Sequence, residues 1–78
     1  MNTLINKKNT MTTRFVIRVF HKNGQSEFFH GWAPDVGNLF GQNIYLAYSC
    51  ETYEHAQLVL GEITNTGVYQ IEKVFLQD

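Results

Sequence analysis

The side chains best suited to chemistry in this 78-residue chain are one thiol, Cys50, and three imidazoles, His21, His30 and His55. Nucleophilic catalysis needs a nucleophile, a base and an orienting group held together. Cys50 falls just before a segment that reads as a helix, whose N-terminal dipole would lower a thiol pKa, and His55 follows shortly after. The packing alternative is stronger: Cys50 continues the inward alternation of Tyr48, and a free cysteine is among the most buried residue types. His55 then belongs to the helix surface. No pair of histidines has the i, i+4 spacing that brings metal ligands together, and one cysteine cannot make a Cys-x-x-Cys site. Gly31, Gly37 and Gly41 are too scattered for a phosphate-binding loop, and no Gly-Lys-Ser/Thr follows them. Nothing selects a pair of carboxylates. The chain is therefore expected not to be an enzyme and to need no cofactor and no metal.

The elements that would position any binding residue must fit into one small domain. A chain of this length leaves roughly 40% of its unfolded-state surface exposed after folding, so it builds one thin core. Hydrophobic content of 44%, six glycines and one proline describe a folded chain. No apolar run approaches the ~20 residues that span a bilayer, and residues 1–13 lack the apolar stretch of a signal peptide. With no possible internal disulfide, a cytoplasmic location and no membrane association are expected.

Residues 1–12 are polar, with Leu4 and Ile5 as a lone apolar pair, and are expected to form a flexible tail before a domain over 13–78. Arg14 to His21 is β-branched and aromatic, and reads as a strand. Asn23-Gly24 then signals a two-residue hairpin turn. That turn pairs Phe15 with Trp32, Ile17 with His30, Val19 with Phe28 and His21 with Ser26 on a core face. On the other face it pairs Val16 with Gly31, Arg18 with Phe29 and Phe20 with Glu27. Residues 33–42 hold the proline and two glycines and read as a loop, with Val36, Leu39 and Phe40 tucked against the sheet. Asn43 to Tyr48 is expected as a third strand with Ile44, Leu46 and Tyr48 inward. Thr52 can cap a helix whose stripe is Ala56, Val59, Leu60 and Ile63. It ends near Ile63, before the Asn65-Thr66-Gly67 turn. Val68 to Leu76 is a last strand with Tyr69, Ile71 and Phe75 inward. The expected fold is α+β in the order β-β-β-α-β, a four-stranded mainly antiparallel sheet with one helix packed on one face. The helical crossover suggests a last strand parallel to the first.

One helix cannot cover both faces of four strands. The second face, with Arg18, Phe20, Phe29 and Tyr45, is left for a partner, with Trp32 and Asp35 at its edge. Aromatic rings beside arginine are the composition of protein-binding hot spots. Rings on a sheet also stack single-stranded bases, and Lys7, Lys8 and Arg14 could then follow phosphates. Charge favours protein. Five bases, Lys7, Lys8, Arg14, Arg18 and Lys22, precede the first acid, but the rest of the chain holds seven acids against Lys73, for a net −1. Nucleic-acid domains carry a basic surplus, and Glu27 sits on this face. A homodimer closing the same face is the third expectation.

Short length, an Asn/Thr/Tyr-rich composition and one helix over a curved hairpin sheet accompany two segments, Glu51-Thr52-Tyr53-Glu54-His55-Ala56 and Val68-Tyr69-Gln70-Ile71-Glu72-Lys73-Val74. In these features the chain resembles the small orphan proteins of bacteriophages and mobile elements, among them anti-CRISPR proteins and other inhibitors of host defence. The resemblance covers less than half of the chain, and those families share no motif that would assign residues. It implies a phage-encoded, non-catalytic inhibitor that sterically blocks a host nuclease or CRISPR effector complex in the host cytoplasm.

Overall fold

The computed structural model describes residues 11–63 and 67–77. Of the expected tail over residues 1–12, residues 1–10, with Leu4, Ile5, Lys7 and Lys8, lie outside the described residues, as do the turn residues Asn65 and Thr66, whereas Met11 and Thr12 already belong to the first strand. Strands β1 (Met11–Phe20), β2 (Ser26–Ala33) and β3 (Gly37–Gly41) are followed by a 3₁₀ turn (Ile44–Leu46), a helix α1 (Tyr53–Glu62) and strand β4 (Val68–Gln77). They form one sheet in the order β3-β2-β1-β4, with every neighbouring pair antiparallel. The α+β architecture matches the expectation. The suggested parallel last strand does not: β4 runs antiparallel to β1 along ten residue pairs, from Met11–Gln77 to Phe20–Val68. The reason lies in where the helix starts. Cys50 is bridged to Phe15, midway along β1, so a ten-residue helix of about 15 Å carries the chain towards the Phe20 end. From there β4 can only run the other way.

The first hairpin also differs, by one residue. Arg18 pairs with Phe28, Val19 with Glu27 and Phe20 with Ser26. The turn is a three-residue loop, closed by Gly24 N–H to the His21 carbonyl at 3.0 Å and His21 N–H to the Gln25 carbonyl at 2.8 Å. Asn23 keeps a negative φ, and Gly24 alone takes φ +87°. Asn-Gly thus supplies a turn followed by a left-handed glycine, the next commonest hairpin after the two-residue form. A one-residue slip exchanges faces. Phe29 moves to the helix side, where it is fully buried, and Phe28 moves beside Arg18.

Pro34 sits in a tight turn closed by Val36 N–H to the Ala33 carbonyl, at 3.2 Å. Its fixed φ suits the second turn position. This turn makes residues 37–41 a strand rather than loop, because Gly37 to Gly41 fold straight back on β2. The expected strand over 43–48 is displaced. Asn43 Oδ1 accepts Tyr45 N–H at 2.9 Å and caps the 3₁₀ turn. Leu46 is consequently exposed rather than inward, as are Val36 and, at the far end of β4, Phe75. Tyr48 does pack against the core.

Between Phe29 and Gly31 the β2–β3 register shifts, leaving His30 as the extra residue of a bulge. Gly31, at φ +124°, is buried there, in a backbone conformation that a side-chain-bearing residue adopts only under strain. Past the Arg18–Phe28 pair β1 and β2 part, and the stretch Tyr48–Cys50 fills the wedge between them. Tyr48 N–H bonds the Phe29 carbonyl at 2.8 Å, and Cys50 exchanges both backbone bonds with Phe15 at 2.8 and 2.9 Å. His30 is not on the core face as expected: its ring packs against Gly41 on the opposite face, with Nε2 3.2 Å from the Asn43 carbonyl. The core is Ile17, Phe29, Cys50, Ala56, Val59 and Ile63, with Phe15, Phe40, Tyr48, Leu60, Tyr69 and Ile71 around it. Thr52 Oγ1 caps the helix by accepting His55 N–H at 3.0 Å, as its sequence suggests.

Candidate functional site

The six residues singled out in the sequence fall into three places. Arg18 and Phe20 share the sheet face away from the helix. Phe29 is in the core and cannot meet a partner. Trp32, Asp35 and Tyr45 lie on β2, in the β2–β3 turn and on the 3₁₀ turn.

On the open face, Arg18 is already engaged. Its Nε donates to Glu72 Oε2 at 2.7 Å and a terminal nitrogen donates to Ser26 Oγ at 2.7 Å. Its guanidinium lies 4.5 Å from the centroid of the Phe28 ring. Register makes this possible, because β1 sets Arg18 between Phe28 and Gln70, one step from both Ser26 and Glu72. Phe28 and Val16, which share this face, are buried. Phe20 and Val68, paired at the hairpin end, remain exposed. The acid that sequence reasoning placed opposite Phe20, Glu27, instead reaches His21, with 2.9 Å between Oε1 and Nε2. Arg18 on this face is thus neutralised within the fold, Glu27 has moved opposite Val19 on the other face, and Arg14, in alternation with Val16 and Arg18, donates to the Thr13 carbonyl at 2.9 Å.

The helix side presents a different arrangement. Phe29 forms a floor touched by three rings: Trp32 at 4.9 Å, Phe40 at 5.7 Å and Tyr48 at 5.9 Å between centroids. Trp32 also meets Tyr48 at 5.3 Å, edge to face, and Tyr48 meets His55 at 6.4 Å. Edge-to-face contacts of this kind hold rings in place beyond what area burial supplies. The bulge explains how Trp32 arrives there. An extra residue between Phe29 and Trp32 restores both to one face, although three positions separate them. Trp32 is nonetheless 43% exposed and His55 is exposed, so the outer edge of this strip faces solvent. Tyr45 and Leu46, 72% and 62% exposed, are carried on the connection that delivers Tyr48. Tyr53 adds an exposed ring on Phe15, at 6.0 Å. Asp35, Glu51 and Glu54 are exposed on the turn and the helix start.

Tyr48 and His55 were assigned to core and plain helix surface from the sequence, and their contact was missed. The only signal was His55 three residues after the cap, which fixes it in the first helical turn. Cys50 is buried as expected, and desolvation pushes its thiol pKa upward, opposite to the shift that activates a nucleophile. Among the described residues no group of three His, Cys, Asp or Glu side chains is placed to hold a metal ion, and no helix is long and apolar enough to cross a membrane. The surface they form has no pocket, so a ligand meets an open face. Comparison with protein-family models, with curated protein sequences and with solved structures returns no match to this chain.

Proposed function

We propose that this chain is a non-catalytic protein-binding module whose contact surface is the strip Trp32–Tyr48–His55, extended by Tyr45 and Leu46. The observation that carries this reading is a half-exposed tryptophan on a rigid bed. Trp32 contacts both Phe29 and Tyr48, so its exposed edge is already ordered and loses little side-chain freedom on binding. Tryptophan and tyrosine are the residue types that dominate binding energy at protein interfaces. Asp35, Glu51 and Glu54 favour a partner whose apolar contact is rimmed by Lys or Arg. The resemblance to phage inhibitors of host defence extends the reading to steric blocking of a nuclease or effector complex, and that extension rests on the resemblance. Binding of single strands is less well supported, because the Arg18 charge is neutralised by Glu72 within the fold.

The test is capture from nuclease-treated lysate by the tagged full chain, by a Trp32→Ala/His55→Ala variant and by an Arg18→Ala variant. All three are first checked by circular dichroism. One partner held in constant proportion by the wild type and Arg18→Ala, and lost at least tenfold by the double variant, is the expected result. Equal capture by all three overturns the strip as the contact surface. Material recovered only when nuclease is omitted would move the reading to nucleic acid.

A further inference from the structure

The connection between β3 and the helix has to cross a strand. Gly41 is paired with Phe28 on one side of β2, whereas Tyr48 N–H reaches the Phe29 carbonyl and Cys50 reaches Phe15, on the side of β1. Residues 42–47 therefore pass over β2, and they carry the exposed side chains of Tyr45 and Leu46. Packing does not hold this crossing in place, since the 3₁₀ turn buries no residue. Its internal bonds are local: Asn43 Oδ1 accepts Tyr45 N–H at 2.9 Å, and the Asn43 carbonyl accepts Leu46 N–H at 3.1 Å. Both end on Asn43. Among the described residues, the one hydrogen bond that ties residues 43–47 to a strand comes from His30.

Two features of β2 suit His30 to that task. As the extra residue of the bulge, it is turned to the face opposite Phe29. Its ring then lies against Gly41, where a β-carbon would collide with Cε1 and stand 3.0 Å from Nδ1. Nε2 is 3.2 Å from the Asn43 carbonyl, and because a carbonyl only accepts, Nε2 is the nitrogen that carries a proton. A carbonyl oxygen has two lone pairs, so Asn43 serves His30 and Leu46 N–H together.

We propose that His30 is a positioning residue for the contact surface: it fixes Asn43, and through Asn43 the turn that presents Tyr45 and Leu46, before any partner arrives. The inference rests on the reading of Tyr45 and Leu46 as part of that surface. A segment ordered in advance spares the complex the cost of immobilising two side chains on binding. Gly41 belongs to the same arrangement. Unlike Gly31 and Gly37, it keeps a negative φ, so what it supplies is room for the ring rather than a glycine conformation. A methyl group there would push the far end of the His30 side chain aside, at little cost to the rest of the fold.

The test uses four variants of the full chain: His30→Ala, Gly41→Ala, the two together, and His30→Gln, whose amide N–H can reach the same carbonyl. Circular dichroism confirms that each folds, and backbone NMR order parameters read the turn without any partner. In the wild type Tyr45 and Leu46 are expected near the rigid value of about 0.85, and in His30→Ala and Gly41→Ala below about 0.6. Ile17 in β1 and Val59 in the helix stay rigid throughout. The double variant is expected to be no looser than His30→Ala, because the added methyl has no ring left to displace. His30→Gln is expected to restore order. Capture of the partner weakens by about fivefold or more in the two single alanine variants, the scale of ordering two side chains, and returns with His30→Gln. Unchanged order parameters at Tyr45 and Leu46 overturn the proposal, as does a loss spread equally over Ile17 and Val59. Capture at wild-type strength by a variant whose turn has loosened overturns it too. A wild type that captures no protein overturns the contact-surface reading, while the order parameters separately decide whether His30 holds the turn.

Discussion

The open sheet face and the ring strip both join aromatic residues to polar ones, but they resolve their surroundings in opposite ways. On the open face, Arg18 finds Glu72, Ser26 and the Phe28 ring within its own fold. Its charge is met inside the fold. On the helix side, Trp32 finds rings on one flank and solvent on the other. Composition alone would rank the first region higher as an interface, since it has the arginine. Geometry ranks the second higher, because a partner gains most from groups that are ordered but not yet satisfied.

The comparison breaks most severely if its shared floor is removed. Phe29→Ala should destabilise the protein by about 3–5 kcal/mol, the range for deleting a fully buried phenylalanine. Urea denaturation checks this. A loss below about 1 kcal/mol, the scale of a surface substitution, would mean the strip does not rest on the core. Arg18→Ala should cost less, about 1 kcal/mol, because the pair with Glu72 is partly exposed and screened. Part of that loss should persist at high salt, since stacking on Phe28 also buries the arginine stem. A loss that vanishes completely with salt would show that Arg18 acts on this face through charge alone.

The smallest effect is with pH. Burial raises the Cys50 thiol above its ordinary value of 9.0 and the Tyr69 hydroxyl above 10.0. Each group is held neutral in the fold, so the unfolded chain releases its proton first. Their contribution to stability is complete below pH 9.0 and is lost as pH rises through the raised folded values. Thermal melts between neutral pH and strongly alkaline conditions should show a decline that starts above that point. Cys50→Ala should flatten the earlier part of it. An unchanged slope in that variant would assign the decline to other groups.

The helix was fully legible, because its signals are local: Thr52 as cap, and Ala56, Val59, Leu60 and Ile63 at helical spacing. The first two strands and the last were legible from β-branched and aromatic runs. Residues 37–48 were not. Leu39-Phe40 and Ile44 to Tyr48 are both plausible strands, and the Pro34 turn gave the nearer one the advantage in pairing with β2. For the candidate site, Trp32 and Tyr45 were recognised by type. Phe29 was placed on the wrong face, and the company of Tyr48 and His55 was invisible, since their contact joins a wedge segment to a helix.

What the sequence determined by itself is a hairpin opened by Asn-Gly, one capped amphipathic helix and a closing strand, in an α+β order. What only the tertiary structure decided is which way those residues face. Two-residue and three-residue turns around Asn23-Gly24 differ little locally, and the one mark of the bulge at His30 is Gly31, a glycine inside a strand run. The choice was made by burial, because only this register and this bulge bring Phe29, Trp32, Tyr48 and the helix stripe onto one side of the sheet.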